Sequence, residues 1–280
     1  MLTVVWSFVD DSTAGSATIH TLTNALTTFS GFSTGGNAQL NTDAGGKVDF
    51  SQSAGPKGDF KLAVGSIEGA GTYLLGRDQL TVGLNRHSTE DVSGPIDDGG
   101  FDGGSGASLV KVGHDMLTLS HAFNTYSGGT MLEQGTLDLA AVDAAGTGHI
   151  AFSGKLKATL GVDTAALSGH VFGNEIDFFG KHDVLDLTGL KFHPGATATF
   201  HHEHLKVRSG GVTDVFTLLS PHGTHFKAAN DGHGGTKVTL DPPPVTATAA
   251  SLSPHDFTDQ HWTTHTAGSA GHLSDFLFVT

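Results

Sequence analysis

Histidine supplies the densest metal-ligating chemistry in this chain, with 18 of its 280 residues, and the tightest cluster is Phe200-His201-His202-Glu203-His204. In an extended strand the period of two sets His202 and His204 on one face, and His201 and Glu203 on the other. Two neutral imidazoles so placed reach a zinc or copper ion if a third ligand approaches from a neighbouring strand. The same residues also fit a solvated strand face in a His-rich sequence. The helical His-Glu-x-x-His spacing of zinc peptidases does not occur.

Oxygen ligands gather at 97-DDGGFDGG-104, where Asp97, Asp98 and Asp102 suffice for a calcium site on a loop, or simply for a solvated loop. Asp231-Gly232-His233-Gly234-Gly235-Thr236 is similar to one unit of the Gly- and Asp-rich repeats that bind calcium between stacked turns. Those need tandem copies and one is present, so a hairpin-like turn before strand 237–240 is the reading adopted. Catalysis would need paired carboxylates or a nucleophile with its base. Asp183 and Asp186 are the nearest approach, and their turn-like settings account for them without chemistry. No Gly-x-Ser-x-Gly elbow, Walker-type loop or dinucleotide fingerprint is present.

The elements that must position these groups are short strands. Glycine, at 40 of 280 residues, is about twice its ~7% average usage, and only 8 prolines without a triplet period exclude collagen. Aspartate, at home in turns, far outnumbers glutamate, and Lys and Arg total only 14, so the coating of exposed helices is missing. Four- and five-residue apolar runs, each closed by Gly, Asn or Asp, recur from Ala38 onward: AQLN, KVDFS, FKLAVG, TYLLG and QLTVG. Further runs lie at 149–153, 158–162, 174–179, 183–192, 196–200, 204–207, 214–219 and 237–240. Residues 85–107 read as loops around one short strand near Val92 to Ile96. The brevity of the strands and their corner glycines favour a β-helix over a sandwich, whose strands need five or six residues to span the core.

Composition also bounds the partners. A formal charge of −14 leaves no basic patch for a phosphate backbone, so no nucleic-acid partner is expected. Zero cysteines exclude disulfides and thiolate metal sites. No apolar run reaches the ~18 residues of a membrane helix, and the N-terminus lacks the basic region of a signal peptide.

Within residues 108–139, SLVKVGHDMLTLS followed by NTYSGGTMLEQGTLDL resembles the autotransporter-associated β-strand repeat of bacterial passenger domains. Lys111, Gly113, Asn124, Tyr126, Gly128, Gly129, Gly135 and Thr136 fall in that repeat's order. GTYLLGRDQLTVG and AAGTGHIAFSG are similar to its flanking segments, extending the likeness to roughly residues 69–154. The resemblance implies a right-handed parallel β-helix, exported to the cell surface or beyond, serving as a stalk or adhesive surface. His114-Asp115-Met116 departs from the family's usual small corner. No stretch resembles the translocator barrel, so export by that route is not expected of this chain alone. Asp275 with Phe276-Leu277-Phe278-Val279 resembles the ending of type I secretion substrates.

The expectation is therefore an all-β protein: a right-handed parallel β-helix with a poorly ordered C-terminal tail. Residues 1–37 form an N-terminal cap or irregular segment, 38–241 the β-helix body, and 242–280 a Pro-led linker and tail. The expected function is a non-enzymatic secreted or cell-surface adhesin or stalk, binding a host or environmental surface through an unknown glycan or protein ligand. The alternatives are a polysaccharide-acting enzyme on the same fold and a calcium-binding secreted module exported by a type I system. No catalytic residues and no cofactor are expected, calcium being the one cofactor alternative.

Overall fold

Alternation of apolar and polar residues over three to five positions cannot cover a core by itself, and this chain solves the problem by coiling. A computed structural model describes residues 5–85 and 89–241. The tail expected to be poorly ordered, 242–280, lies outside the described residues, as do the type I-like ending and Trp262.

Eight strands stack in parallel on one face: Thr18–Thr21, Gln39–Thr42, Ser66–Gly69, Thr89–Val92, Met116–Leu119, Gly135–Leu139, Ala158–Val162 and Val184–Leu187. A second face stacks Lys61–Ala63, Gln79–Val82, Ser108–Lys111, Thr130–Leu132, Ile150–Phe152, Val171–Asp177 and Val212–Leu219 in parallel. A third runs through Val5–Phe8, Leu26–Gly31, Lys47–Ser53, Thr72–Leu74 and Ile96–Asp97. The molecule is a parallel β-solenoid of about eight turns. Val5–Phe8, Thr18–Thr21 and Leu26–Gly31 fall within 1–37, so regular coils start inside the stretch read as a cap or irregular segment.

Register makes the core. Leu117, Leu137, Leu160 and Leu185 are partners on successive strands, all buried, so like side chains form a column along the axis. Phe8, Phe29 and Phe50 make an aromatic column, with centroids 4.9 and 4.8 Å apart and rings nearly parallel. That separation is the spacing of neighbouring strands, so strand pairing itself sets the ring stacking.

The expectation of a β-helix continuing to 241 needs correction. Parallel winding on the first face ends at Val184–Leu187, whose next neighbour, Thr236–Leu240, runs antiparallel and pairs in turn with Phe226–Asn230. On the second face, His204–Ser209 and Thr197–His201 add to Val212–Leu219 antiparallel. These hairpins bring Phe200 and Phe226 over the end of the core, where Phe226 meets Phe179 at 5.8 Å and Phe200 at 5.5 Å, beside the Phe172–Phe216 pair at 5.6 Å. A parallel coil and a hairpin arm have the same period of two, so hydrophobic alternation does not separate them.

Candidate functional site

The residues that carried the family resemblance are the coil's internal fasteners. Beyond Ile96–Asp97 the third face has no further strand among the described residues, and Asn124 takes over its pairing. Its Oδ1 accepts from the Ile96 N–H at 2.9 Å, and its Nδ2 donates to the Ala144 carbonyl at 2.7 Å. One buried amide thus bonds the coil before and the coil after. Asn174 does similar work, donating to the carbonyls of Gly146 and Gly148 at 2.9 and 2.8 Å. Tyr126 is fully buried, with its hydroxyl 2.7 Å from Thr130 Oγ1. A Cβ at Gly146 would come within 2.3 Å of the Tyr126 carbonyl oxygen.

Lys111 is buried, and its Nζ donates to the carbonyls of Val112 at 2.7 Å, Gly113 at 3.2 Å and Gln134 at 3.4 Å. Burial pulls its ammonium down to about 8, against the charges of Glu90 and Asp115, which favour the cation. Burial likewise pushes Glu90 up to about 7, opposed by Ser66 and Lys111. Asp78 is a harder case: its carboxylate is buried and neither oxygen has a partner among the described residues. Burial raises it to about 7, Arg77 opposing and Asp49 adding to the shift.

The structure does not assemble the expected histidine site. His202 and Glu203, at φ 48° and 65°, are the two turn residues of a hairpin whose closing pair is His201 and His204. Strand alternation is broken between His202 and His204, so they do not share a strand face. The His201 and His202 rings lie 3.8 Å apart at the exposed tip.

Asp97, Asp98 and Asp102 do not converge on one point either. Asp97 Oδ1 accepts from Thr125 Oγ1 at 2.8 Å, and Asp98 accepts from Gly106 N, Ala107 N, Ser127 N and Ser127 Oγ at 2.6–3.2 Å. Asp102 Oδ1 accepts from Gln52 Nε2 at 3.4 Å. The first two pin the Gly-rich loop to the next coil. Among the described residues no three His, Asp or Glu side chains are grouped to hold a metal ion. Asp231 closes a turn between Phe226–Asn230 and Thr236–Leu240, accepting from His233 N at 2.6 Å and Gly235 N at 3.0 Å. Asp183 accepts from Gly180 N at 2.7 Å in a turn, as expected, whereas Asp186 lies within the strand Val184–Leu187 and not in the turn-like setting expected of it.

A groove of about 430 Å³ opens on the outer side of the second face. Gln79, Ser108, Ser127, Thr130, His149 and Asp177 line it. His149 lies between two carboxylates, with Nε2 2.8 Å from Glu175 and Nδ1 3.0 Å from Asp177. Parallel pairing makes this row, since residue 149 immediately precedes the Ile150–Ile176 partnership and 177 pairs with Ala151. A second, smaller cavity beside the hairpins holds a His170–Asp214 pair at 2.8 Å. Sequence reasoning missed both, because partners in a solenoid are a full coil or more apart, and His170 and Asp214 are 44 positions apart.

No family model, no curated protein and no solved structure matches this chain. The fold is compatible with a β-helical repeat protein, and that is as far as shared architecture carries the resemblance. No helix among the described residues is long and apolar enough to cross a membrane.

Proposed function

We propose that this chain is a non-enzymatic, passenger-like β-solenoid of the autotransporter-associated type, secreted or held at a bacterial cell surface, acting as an adhesin or stalk. The observation carrying this reading is the employment of the repeat's polar side chains. Asn124, Lys111 and Tyr126, with Asp97 and Asp98, are committed to bonds within and between coils. A stack so fastened transmits load and presents a long outer surface, the properties a stalk needs. The partner surface is glycan or protein; the net charge of −14 disfavours nucleic acid.

The His149–Glu175–Asp177 row favours a second reading, a polysaccharide-acting enzyme, because His149 and Asp177 line one groove and Glu175 sits on the other nitrogen of the same imidazole, a setting in which acid–base chemistry on a sugar would be housed. One experiment separates the two. The full chain is incubated with polygalacturonate, alginate and xylan, following new reducing ends and unsaturated products, while its retention on the same immobilised polysaccharides and on matrix-protein surfaces is measured. Retention without turnover is expected. Turnover that disappears in E175Q or D177N would replace the adhesin reading with the enzyme.

A further inference from the structure

The second face buries one column of side chains, Leu80, Leu109, Thr130, Ile150 and Ile176, and the period of two turns the residues before and after each of them outward. The outward row before the column runs Gln79, Ser108, Gly129, His149 and Glu175. The row after it includes Met131, Ala151 and Asp177, partners on three successive strands. Gly129 interrupts the first row. It puts no side chain between Ser108 and His149, and a Cβ there would lie 2.5 Å from the His149 carbonyl oxygen. The groove of about 430 Å³ lies over this gap, with Gly128 and Gly148 also in its lining, and its size falls within the roughly 300–1,000 Å³ of small-ligand sites.

The polar groups of the groove divide into committed and free. The Thr130 hydroxyl lies 2.7 Å from that of Tyr126, Ser127 Oγ donates to Asp98 at 2.6 Å, and His149 is held between Glu175 and Asp177. Gln79 and Ser108 are Cα partners on adjacent strands, both half-buried, and neither side chain has a hydrogen-bond partner among the described residues. A carboxamide and a hydroxyl side by side supply donors and acceptors at neighbouring points. Met131 and Ala151, also half-buried, give the groove an apolar strip in the second row.

The setting selects among ligand classes. The groove lies on the face of a sheet whose backbone groups are spent in the ladder, so no peptide strand can be added there. Glu175, Asp177 and the net charge of −14 repel a polyanion. A pyranose ring, with hydroxyls at its rim and C–H groups on its faces, matches a free amide and hydroxyl beside an apolar strip. We propose that this groove binds an uncharged glycan, Gln79 and Ser108 hydrogen-bonding to sugar hydroxyls while Met131 and Ala151 pack against the ring. The inference rests on the adhesin reading and names the ligand class of that surface.

The test titrates the full chain with xylohexaose, with cellohexaose and, as the polyanion, with hexagalacturonate. Calorimetry reads affinity and amide chemical shifts read the place of contact. Expected is binding of an uncharged hexamer, with shifts centred on Ser108, Gly129 and Met131, and no binding of hexagalacturonate. Q79A/S108A weakens binding about tenfold, the equivalent of two neutral hydrogen bonds. S108W fills the groove from an outward position and abolishes binding, thermal melts showing that both variants remain folded. Absence of groove shifts with both uncharged hexamers, preference for hexagalacturonate, or an unchanged isotherm in S108W overturns the inference. Retention on matrix-protein surfaces is measured on the same preparations. If the inference falls while retention persists in S108W, the adhesin reading stands with a different surface; if the wild-type chain is retained on no surface, that reading falls too.

Discussion

Asn124 shows what a single side chain contributes when strand pairing lapses. Its amide supplies an acceptor to Ile96 N and a donor to Ala144, so removing it orphans buried backbone groups on two coils. N124A is expected to cost about 2–4 kcal/mol, since two buried backbone groups are left unsatisfied at ~1–3 kcal/mol each, read from the midpoint of urea unfolding. Asp78 acts in the opposite sense. Its carboxyl is raised to about 7 in the folded chain against an ordinary value near 4, so the folded state holds the proton more tightly than the unfolded. Stability from this group is complete below pH ~4 and is lost as pH rises through about 7. D78N is expected to flatten the fall in stability between pH 4 and 7, measured by thermal melts across that range. A wild-type slope retained in D78N would remove Asp78 as its source.

At the scale of the element, corners decide the coil. Gly129 sits at φ 85°, where a Cβ would stand 2.5 Å from the His149 carbonyl oxygen. G129A is expected to destabilise by at least the ~1–3 kcal/mol of left-handed strain alone, seen as a lowered denaturation midpoint. The hairpin at His202-Glu203 carries positive φ at both turn residues without the Asn-Gly that such a turn prefers. H202N/E203G is therefore expected to raise stability by about 0.5–1 kcal/mol, read from the denaturation midpoint. The strand positions around Leu117, Leu137 and Leu160 were legible because leucine alternates with polar residues between corner glycines. The hairpin turn was not, since His-Glu is no usual turn pair and the polar run 201–204 hides the point where the inward set passes from Ala198 and Phe200 to Leu205 and Val207.

For the whole molecule, the hairpins do for the C-terminal end what each coil does for its neighbour. They pair the last parallel strands and close the core over Phe172, Phe179 and Phe216. A chain ending at residue 189 would leave Val184–Leu187 and Val171–Asp177 with unpaired edges on one side. It is expected to self-associate, as light scattering after size exclusion would reveal, whereas the full chain should not through these edges. Monomeric behaviour of the truncated chain would show that the hairpins are not needed as an edge cover.

Sequence alone determined the all-β class, the coil at 108–139 and most strand positions, because short-range alternation and corner glycines are local properties. Tertiary structure decided where parallel winding stops, that His202 and His204 lie across a turn, and that Gln79, Ser108 and His149 line one groove. Those outcomes depend on which strands become neighbours. In a solenoid the neighbour is a coil or more away along the chain, and its identity is set by register rather than by any short motif.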